Sequence, residues 1–171
     1  IHRDLKPSNI LITKPDDGPP EPRVIDFGIA KALDGPLVTK VMFTQIRQIV
    51  GTPGYMSPER QHTSQISHSA DTRSDVFALG AILWELLTGK TPELTPEGSS
   101  TRISLPAAKT MPAELRWITE KATDPDMERR YGNADALADD LDAWLSGHTL
   151  TAAPRSTLYT LQKWARRQRA I

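Results

Sequence analysis

The sequence predicts a mainly α-helical domain that carries one short β-hairpin near its first residue. Two apolar runs, residues 10–12 and 24–25, are separated by a stretch rich in Asp, Gly and Pro, which is typical of a turn between antiparallel strands. Three later segments, residues 75–87, 113–122 and 134–145, have the apolar spacing and the end signals of helices. With 171 residues, the chain is long enough for one domain with a real hydrophobic core.

Composition excludes several classes of function. Lys and Arg together number 21, as do Asp and Glu, so the net charge gives no general attraction to nucleic acid. The absence of Cys excludes a disulfide scaffold and a thiolate nucleophile. No apolar run approaches the roughly 18 residues of a membrane helix and no signal peptide opens the chain, so we expect a cytoplasmic protein. Because the first residue is Ile1 rather than Met, we expect a piece of a longer protein.

Polar residues with useful chemistry flank the two predicted strands. Asp4 can accept a proton, Lys6 can pair with a phosphate, and Asn9 offers a neutral oxygen ligand. Asp26 directly follows the second strand. Because the start of the first strand lies beside the end of the second in a hairpin, we expect Asn9 and Asp26 to lie close together. Two hard oxygen ligands side by side suit Mg²⁺.

The order His2-Arg3-Asp4-Leu5-Lys6-Pro7-Ser8-Asn9, followed by Asp26-Phe27-Gly28, resembles the catalytic loop and the metal-binding triplet of protein kinases. A Lys two residues after the catalytic Asp is similar to the serine/threonine branch of that family, and the tail of the chain resembles its eukaryotic-like bacterial members. The resemblance covers about residues 1–146. It implies a protein-kinase-like fold, C-terminal lobe only, with residues 1–147 as the lobe and 148–171 as a C-terminal extension.

The resemblance also implies roles for individual residues. Asp4 would orient a Ser or Thr hydroxyl of a protein substrate and accept its proton, and Lys6 would neutralise charge on the transferred phosphoryl group. Asn9 and Asp26 would hold Mg²⁺, with Mn²⁺ as an alternative, against the phosphates of ATP. Thr52, within Gly51-Thr52-Pro53-Gly54-Tyr55, would hydrogen-bond to Asp4 and Lys6.

In the family, the segment between these motifs is the activation segment, here closed by Ser57-Pro58-Glu59, which is similar to Ala-Pro-Glu. Thr44 is the first candidate for a regulatory phosphosite and Thr39 the second, with Arg3 as the phosphate partner. The alternative is that both threonines are ordinary solvated loop residues.

The segment 75–87 is apolar on nearly every side, which predicts a helix buried all round, with Ser74 as its N-cap. The resemblance implies that Asp75, at its start, holds the backbone of the catalytic loop. A buried carboxylate without partners would cost several kcal/mol, so we expect it to accept N–H bonds around His2 and Arg3. The alternative is that Asp75 only caps the helix or favours its dipole.

The second half of the chain contains both departures from the family and agreements with it. Residues 91–110 are rich in Pro, Ser, Thr and Gly, and we expect a loop or a much shortened helix where kinases normally dock substrates. A helix follows Pro112. The resemblance further implies an ion pair between Arg129 and Glu59, the Glu of the Ala-Pro-Glu position.

The last predicted helix of the lobe, residues 134–145, is capped by Asn133. Its spacing predicts apolar residues turned inward at Leu137, Leu141, Trp144 and Leu145. It predicts an acidic, largely outward face at Asp135, Asp139, Asp140 and Asp142.

Residues 148–171 have a different character, because no acidic residue occurs from Thr149 onward while basic residues accumulate alongside apolar ones. We expect a basic amphipathic helix. Proximity to an anionic membrane, as in the cytoplasmic part of a membrane-anchored kinase, is one interpretation. Packing on the lobe before a linker is the plainer one.

The nucleotide-clamping elements of a kinase precede its catalytic loop, so we expect activity to need an N-terminal lobe of the same chain, and this piece to be inactive alone. Two other classes stay open. One is a pseudokinase or kinase-fold binding module, against which the set Asp4, Lys6, Asn9 and Asp26 argues. The other is a phosphotransferase that acts on a small molecule, against which the segment 51–59 argues.

Overall fold

The structure is a computed structural model. It describes residues 1–15, 17–27, 53–62, 71–97, 100–103, 111–154 and 156–168. The helices are α1 (Pro58–His62), α2 (Thr72–Thr88), α3 (Ala113–Ala122), α4 (Ala134–Leu145) and α5 (Thr157–Gln168), with short 3₁₀ turns at Pro7–Asn9, Pro53–Tyr55 and Met127–Arg129. The strands are β1 (Ile10–Thr13), β2 (Glu21–Val24), β3 (Leu94–Glu97) and β4 (Ser100–Ile103). None of the described helices is long and apolar enough to cross a membrane.

The predicted hairpin is present as β1 and β2. The two strands pair antiparallel, with Ile10 opposite Val24 and Thr13 opposite Glu21. One more backbone bond extends the pairing toward the open end of the hairpin, where the N–H of Ile25 donates to the carbonyl of Asn9 at 2.9 Å. The hairpin therefore brings the chain before Asp26 to the end of the loop formed by residues 2–9.

The buried helix α2 is the centre of the fold, and it begins three residues earlier than predicted. Asp71 is its N-cap and accepts a hydrogen bond from the N–H of Arg73. The prediction that Ser74 caps the helix is wrong, because Asp71 supplies a cap one turn earlier and Ser74 then lies inside the first turn. Gly89 ends the helix in the left-handed conformation, with φ of 68°.

Two apolar clusters lie against α2. The larger one joins it to α3, α4 and the segment after α4, and consists of Val76, Met111, Leu115, Ile118, Ala122, Tyr131, Leu137 and Leu150. The smaller one consists of Phe77, Ala81, Trp84 and Ile103. Gly80 lets α2 and α3 approach closely, since a Cβ at this position would lie 2.6 Å from the Cβ of Ala122. Contacts on two sides explain why α2 is mostly apolar, but the prediction that it is buried all round is wrong at Leu86, which is 78% exposed.

The prediction of a loop or short helix over residues 91–110 is wrong for its described part, which contains the hairpin β3–β4. Leu94 pairs with Ile103 in an antiparallel register. Ile103 is buried in the smaller cluster, and Leu94 packs against it. Burial of these two residues outweighs the low strand propensity of the Pro- and Ser-rich sequence. Residues 104–110 lie outside the described residues.

The bounds predicted for α3 and α4 are confirmed, and Asn133 caps α4 by accepting a bond from the N–H of Ala136 at 2.8 Å. Two predictions about the faces of α4 are wrong. Asp140 is buried, with 1% exposure, whereas Leu145 is exposed. The helical period explains both, because position 140 lies on the same face as Leu137 and Trp144 while position 145 lies at its edge.

Asp140 fixes the segment that follows α4. Its carboxylate accepts hydrogen bonds from the N–H groups of Thr151, at 2.6 Å, and Ala152, at 2.8 Å, and from the hydroxyl of Tyr131, at 2.8 Å. Burial acts to raise the pKa of Asp140, but these hydrogen bonds outweigh it and hold the pKa below its usual range. The chain after α4 is thus bound to this helix, and Leu150 belongs to the larger apolar cluster.

Candidate active site

The catalytic loop and the residues after β2 adopt an unusual backbone conformation. Arg3, with φ of 69°, and Asp26, with φ of 57°, are the non-glycine residues of positive φ in the described part of the chain. Such conformations cost about 1–3 kcal/mol each and persist only where surrounding contacts impose them. The structure shows several of these contacts.

Asp75, at the start of helix α2, binds the backbone of the loop at His2 and Arg3. Its two carboxylate oxygens accept hydrogen bonds from the N–H of His2, at 2.6 Å, and from the N–H of Arg3, at 2.9 Å. The hydrogen bonds expected of Asp75 are therefore present. Because both bonds go to main-chain groups, they fix the backbone at Arg3, where φ is positive.

His2 holds the loop from the side and was not assigned a role from the sequence. Its Nδ1 accepts a bond from the N–H of Asp4 at 3.3 Å, so its Nε2 carries the hydrogen and donates to the carbonyl of Ile25 at 2.8 Å. Its ring lies against that of Phe27, with centroids 4.8 Å apart. One buried imidazole thus connects the catalytic loop to the end of β2. The only feature of the sequence that could have indicated this role is the position of His2 directly before Arg3 and Asp4.

The loop brings three of the predicted site residues together. The Nζ of Lys6 lies 3.0 Å from the Oδ2 of Asp4. The buried Asn9 donates from its Nδ2 to the carbonyl of Asp4 at 2.7 Å, and this Nδ2 lies 3.4 Å from the Oδ2. With Nδ2 engaged in this way, the Oδ1 of Asn9 is the atom of that side chain suited to a cation.

The donor set at the open end of the hairpin is compatible with a magnesium ion. Asn9 supplies an amide oxygen, and Asp26, one residue beyond the bond between Ile25 and Asn9, supplies a carboxylate. Mg²⁺ is usually bound by one or two such protein oxygens, with water and phosphate completing its shell. The described residues contain no cluster of three His, Cys, Asp or Glu that could hold a metal by itself.

The ion pair of Glu59 involves a different arginine from the one predicted. Arg130, not Arg129, binds Glu59 in a bidentate manner, with Nη1–Oε1 of 2.9 Å and Nη2–Oε2 of 2.7 Å. The Arg130 side chain is fully buried, whereas that of Arg129 is 72% exposed and lies 3.4 Å from Asp126. The 3₁₀ turn ending at Arg129 directs one arginine to solvent and the next one inward, and the sequence does not show which.

The pair between Glu59 and Arg130 lies in a well-bonded environment. Arg130 also donates to the carbonyl of Asp124, at 2.7 Å, and its guanidinium lies 5.0 Å from the ring centre of Phe77. Burial of the Glu59 carboxyl acts to raise its pKa, but the hydrogen bonds and charge of Arg130 outweigh burial and lower the pKa from 4.5 to about 2. Glu59 is therefore ionised throughout the neutral range.

Helix α1, which carries Glu59, is connected both to the catalytic loop and to α2. The guanidinium of Arg60 donates to the carbonyl of Arg3. Ser74, in the first turn of α2, donates to the Oε1 of Glu59 at 2.9 Å.

Gly54 lies so close to Pro92 that a Cβ would meet the Pro92 carbonyl oxygen at 2.0 Å. The predicted residues Gly28, Thr39, Thr44 and Thr52 lie outside the described residues.

The fold is mainly helical, and the loop that leads into its first hairpin holds a carboxylate, a lysine and an amide in contact. The family described as the protein kinase domain matches residues 1–141, and the chain belongs to this family. The resemblance to bacterial serine/threonine kinases is confirmed by relatives from several bacteria.

Three relatives illustrate the similarity. A serine/threonine-protein kinase, pkn3, of Myxococcus xanthus is 37% identical over 159 residues, which cover 84% of this chain and 27% of the relative. A probable serine/threonine-protein kinase, PknB, of Bifidobacterium longum is 32% identical over 179 residues, with 99% and 24% covered. The PknB kinase of Mycobacterium leprae is 33% identical over 173 residues, with 92% and 26% covered. The chain spans about a quarter of the length of these relatives.

Proposed function

We propose that this chain is the catalytic-loop part of a serine/threonine protein kinase that transfers the γ-phosphate of ATP to Ser or Thr hydroxyls of proteins. The contact between Asp4 and Lys6, with Asn9 bonded to the same Asp4, is the observation that carries the proposal. Asp4 orients the attacking hydroxyl and accepts its proton. Lys6 stabilises the negative charge on the phosphoryl group in the transition state. Family membership and the names of the relatives support this activity.

Asn9 and Asp26 are the residues that would hold Mg²⁺, or Mn²⁺, beside the ATP phosphates. The metal, when bound, neutralises phosphate charge and aligns the transferred group. The contribution of the chain itself is to fix the two oxygen donors: Asn9 through its bond to Asp4, and the backbone before Asp26 through the bond between Ile25 and His2.

We further propose that an N-terminal lobe of the same protein clamps the nucleotide. Two observations support this: the relatives are about four times as long as the chain, and the described hairpin leaves Leu11, Ile12, Val24 and Phe27 exposed. An apolar surface of this extent is expected to be covered in a complete protein. We place that protein in the cytoplasm, where ATP is available.

Regulation belongs to the same proposal. Thr44, or in second place Thr39, is the phosphosite, and Arg3 binds the phosphate. To Thr52 we assign the role that the resemblance implies, hydrogen bonding to Asp4 and Lys6. Phosphoproteomic mapping of the full-length protein tests the two sites, and phosphate on neither threonine would contradict the assignment.

Substitution Asp4→Asn in the full-length protein tests the catalytic assignment. We expect a loss of about 10²–10⁴ in the rate of phosphate transfer, since a positioned base is removed without a change of shape. Asp17→Asn, the same chemical change in the hairpin turn, should leave the rate unaltered. Transfer is measured with radiolabelled ATP, and mass spectrometry identifies the phosphorylated residue.

Two results would contradict the proposal. Unchanged phosphorylation in Asp4→Asn would favour a pseudokinase or a kinase-fold binding module. Phosphate on a small molecule, with no phosphorylated Ser or Thr on any protein, would favour the other phosphotransferase class.

A further inference from the structure

Helix α5 has one face that packs on the lobe. The hydroxyl of Tyr159 donates to the Oε1 of Glu114, on α3, at 2.8 Å, and the Nζ of Lys163 lies 2.8 Å from the same oxygen. The ring of Tyr159 meets that of Trp117 edge-on, with centroids 5.5 Å apart. These contacts match the packed arrangement considered for the tail, and they involve one side of α5.

The other side of α5 carries an exposed apolar stripe. Leu158, Leu161 and Trp164 are 69%, 60% and 57% exposed in the described part of the chain. Their spacing of three residues places them along one side of the helix, roughly opposite Tyr159 and Lys163. Two leucines and a tryptophan side by side form a contiguous surface, and such surfaces mark interaction sites more often than scattered single residues do.

The charge of this part of the chain indicates what the stripe contacts. No acidic residue occurs after Asp142, while five basic ones do: Arg155, Lys163, Arg166, Arg167 and Arg169. Lys163 is paired with Glu114, so the attraction to negative charge depends on the four arginines. Since the whole chain is neutral, this segment is positive and the remainder is negative. A second copy of α5 would bring like charges together, which disfavours a dimer through this face. An anionic bilayer offers apolar chains and negative headgroups at once.

We propose that α5 lies in the interfacial region of a membrane that contains anionic lipid, with Leu158, Leu161 and Trp164 inserted. Trp is enriched at this depth, because its ring is amphipathic. Tyr159 and Lys163, bound to Glu114, then connect the membrane-bound helix to the lobe. The packed and the membrane interpretations of the tail thus apply to opposite faces of one helix, and neither depends on the phosphotransfer activity.

Co-sedimentation of the 171-residue chain with vesicles tests the proposal. We expect binding to vesicles of mixed phosphatidylglycerol and phosphatidylcholine, weakening as salt is raised, and little binding to phosphatidylcholine alone. The double substitution Leu158→Ser with Leu161→Ser should weaken binding roughly tenfold or more. Leu86→Ser, an exposed leucine on α2, is the matched control and should bind as the unchanged chain does.

Brominated lipid should quench tryptophan fluorescence in the unchanged chain, and Trp164→Phe should abolish that quenching. Circular dichroism confirms that each variant is folded. The proposal is overturned if the chain ignores anionic vesicles at low salt, if it binds neutral vesicles equally, or if the leucine pair makes no difference. It is also overturned if sedimentation velocity shows a dimer, without lipid, that the leucine substitutions dissociate.

Discussion

Two neighbouring arginines in this protein have opposite environments. Arg130 is fully buried and bound to Glu59, while Arg129 lies mostly in solvent. Arg130 is desolvated and Arg129 is hydrated. This difference determines how much each substitution should lower the free energy of unfolding.

Replacement of Arg130 by Met should therefore lower the free energy of unfolding by about 3 kcal/mol, because Glu59 loses its partner in a largely buried place. The partial exposure of Glu59 keeps the expected cost at the low end of the range for buried pairs. Arg129→Met, the matched control, should change the free energy by no more than about 0.5 kcal/mol. Urea denaturation measures both, and equal costs would contradict the assignment of the pair.

The same carboxylate predicts a dependence of stability on acidity. The pKa of Glu59 is lowered to about 2, so the native state takes up this proton at lower pH than the unfolded state does. The stabilisation is complete above pH 4.5 and is lost as the pH falls from there toward 2. It amounts to at most about 3 kcal/mol and less for a partly exposed group. The difference in unfolding free energy between the unchanged chain and Glu59→Gln, measured across this range, should shrink on acidification.

Single residues also show where sequence analysis succeeds. The hydrogen bonds at Asp75 were predictable, since a carboxylate at the start of a buried helix must find donors. The choice between Arg129 and Arg130 was not, because it depends on one residue of turn geometry. The buried Asp140 could have been found from the period that it shares with Leu137 and Trp144.

At the scale of the element, local signals predicted the structure wherever they were strong. Helices α3 and α4 begin and end as predicted, because a Pro and an Asn mark their starts and the apolar period continues to their ends. The hairpin β3–β4 was missed, because its strands depend on burial of Ile103 and Leu94 beside α2 rather than on their own propensity. The local sequence of β3 and β4 does not contain this information, because the burial depends on packing against α2.

Helix α4 also determines whether the segment leading to α5 stays attached. The N–H groups of Thr151 and Ala152 bind different oxygens of Asp140, so Asp140→Asn should replace one of these two acceptors by a donor, at a cost of about 1–3 kcal/mol. Hydrogen exchange at these two amides should accelerate more than exchange in α2. Asp139→Asn, on the exposed side of α4, is the control. The prediction is wrong if both variants exchange alike.

At the scale of the whole molecule, the described residues contain the loop proposed as catalytic but no element that would enclose a nucleotide. We expect the 171-residue chain by itself to transfer phosphate negligibly, while the full-length protein is active. A radiolabelled transfer assay on both compares them directly. Turnover by the short chain at the rate of the full-length protein would refute the need for a second lobe.

The connection between Asp75 and the N–H groups of His2 and Arg3 has a consequence for assembly. The helix that carries Asp75 packs in the centre of the fold. The contacts that stabilise the fold therefore also hold Arg3 in its unfavourable positive-φ conformation. The loop is therefore preorganised. A separately produced nucleotide-binding half would bind a loop that already has its final conformation, so no free energy would be needed to order it. Mixing the two halves in trans should then restore turnover without a slow refolding phase.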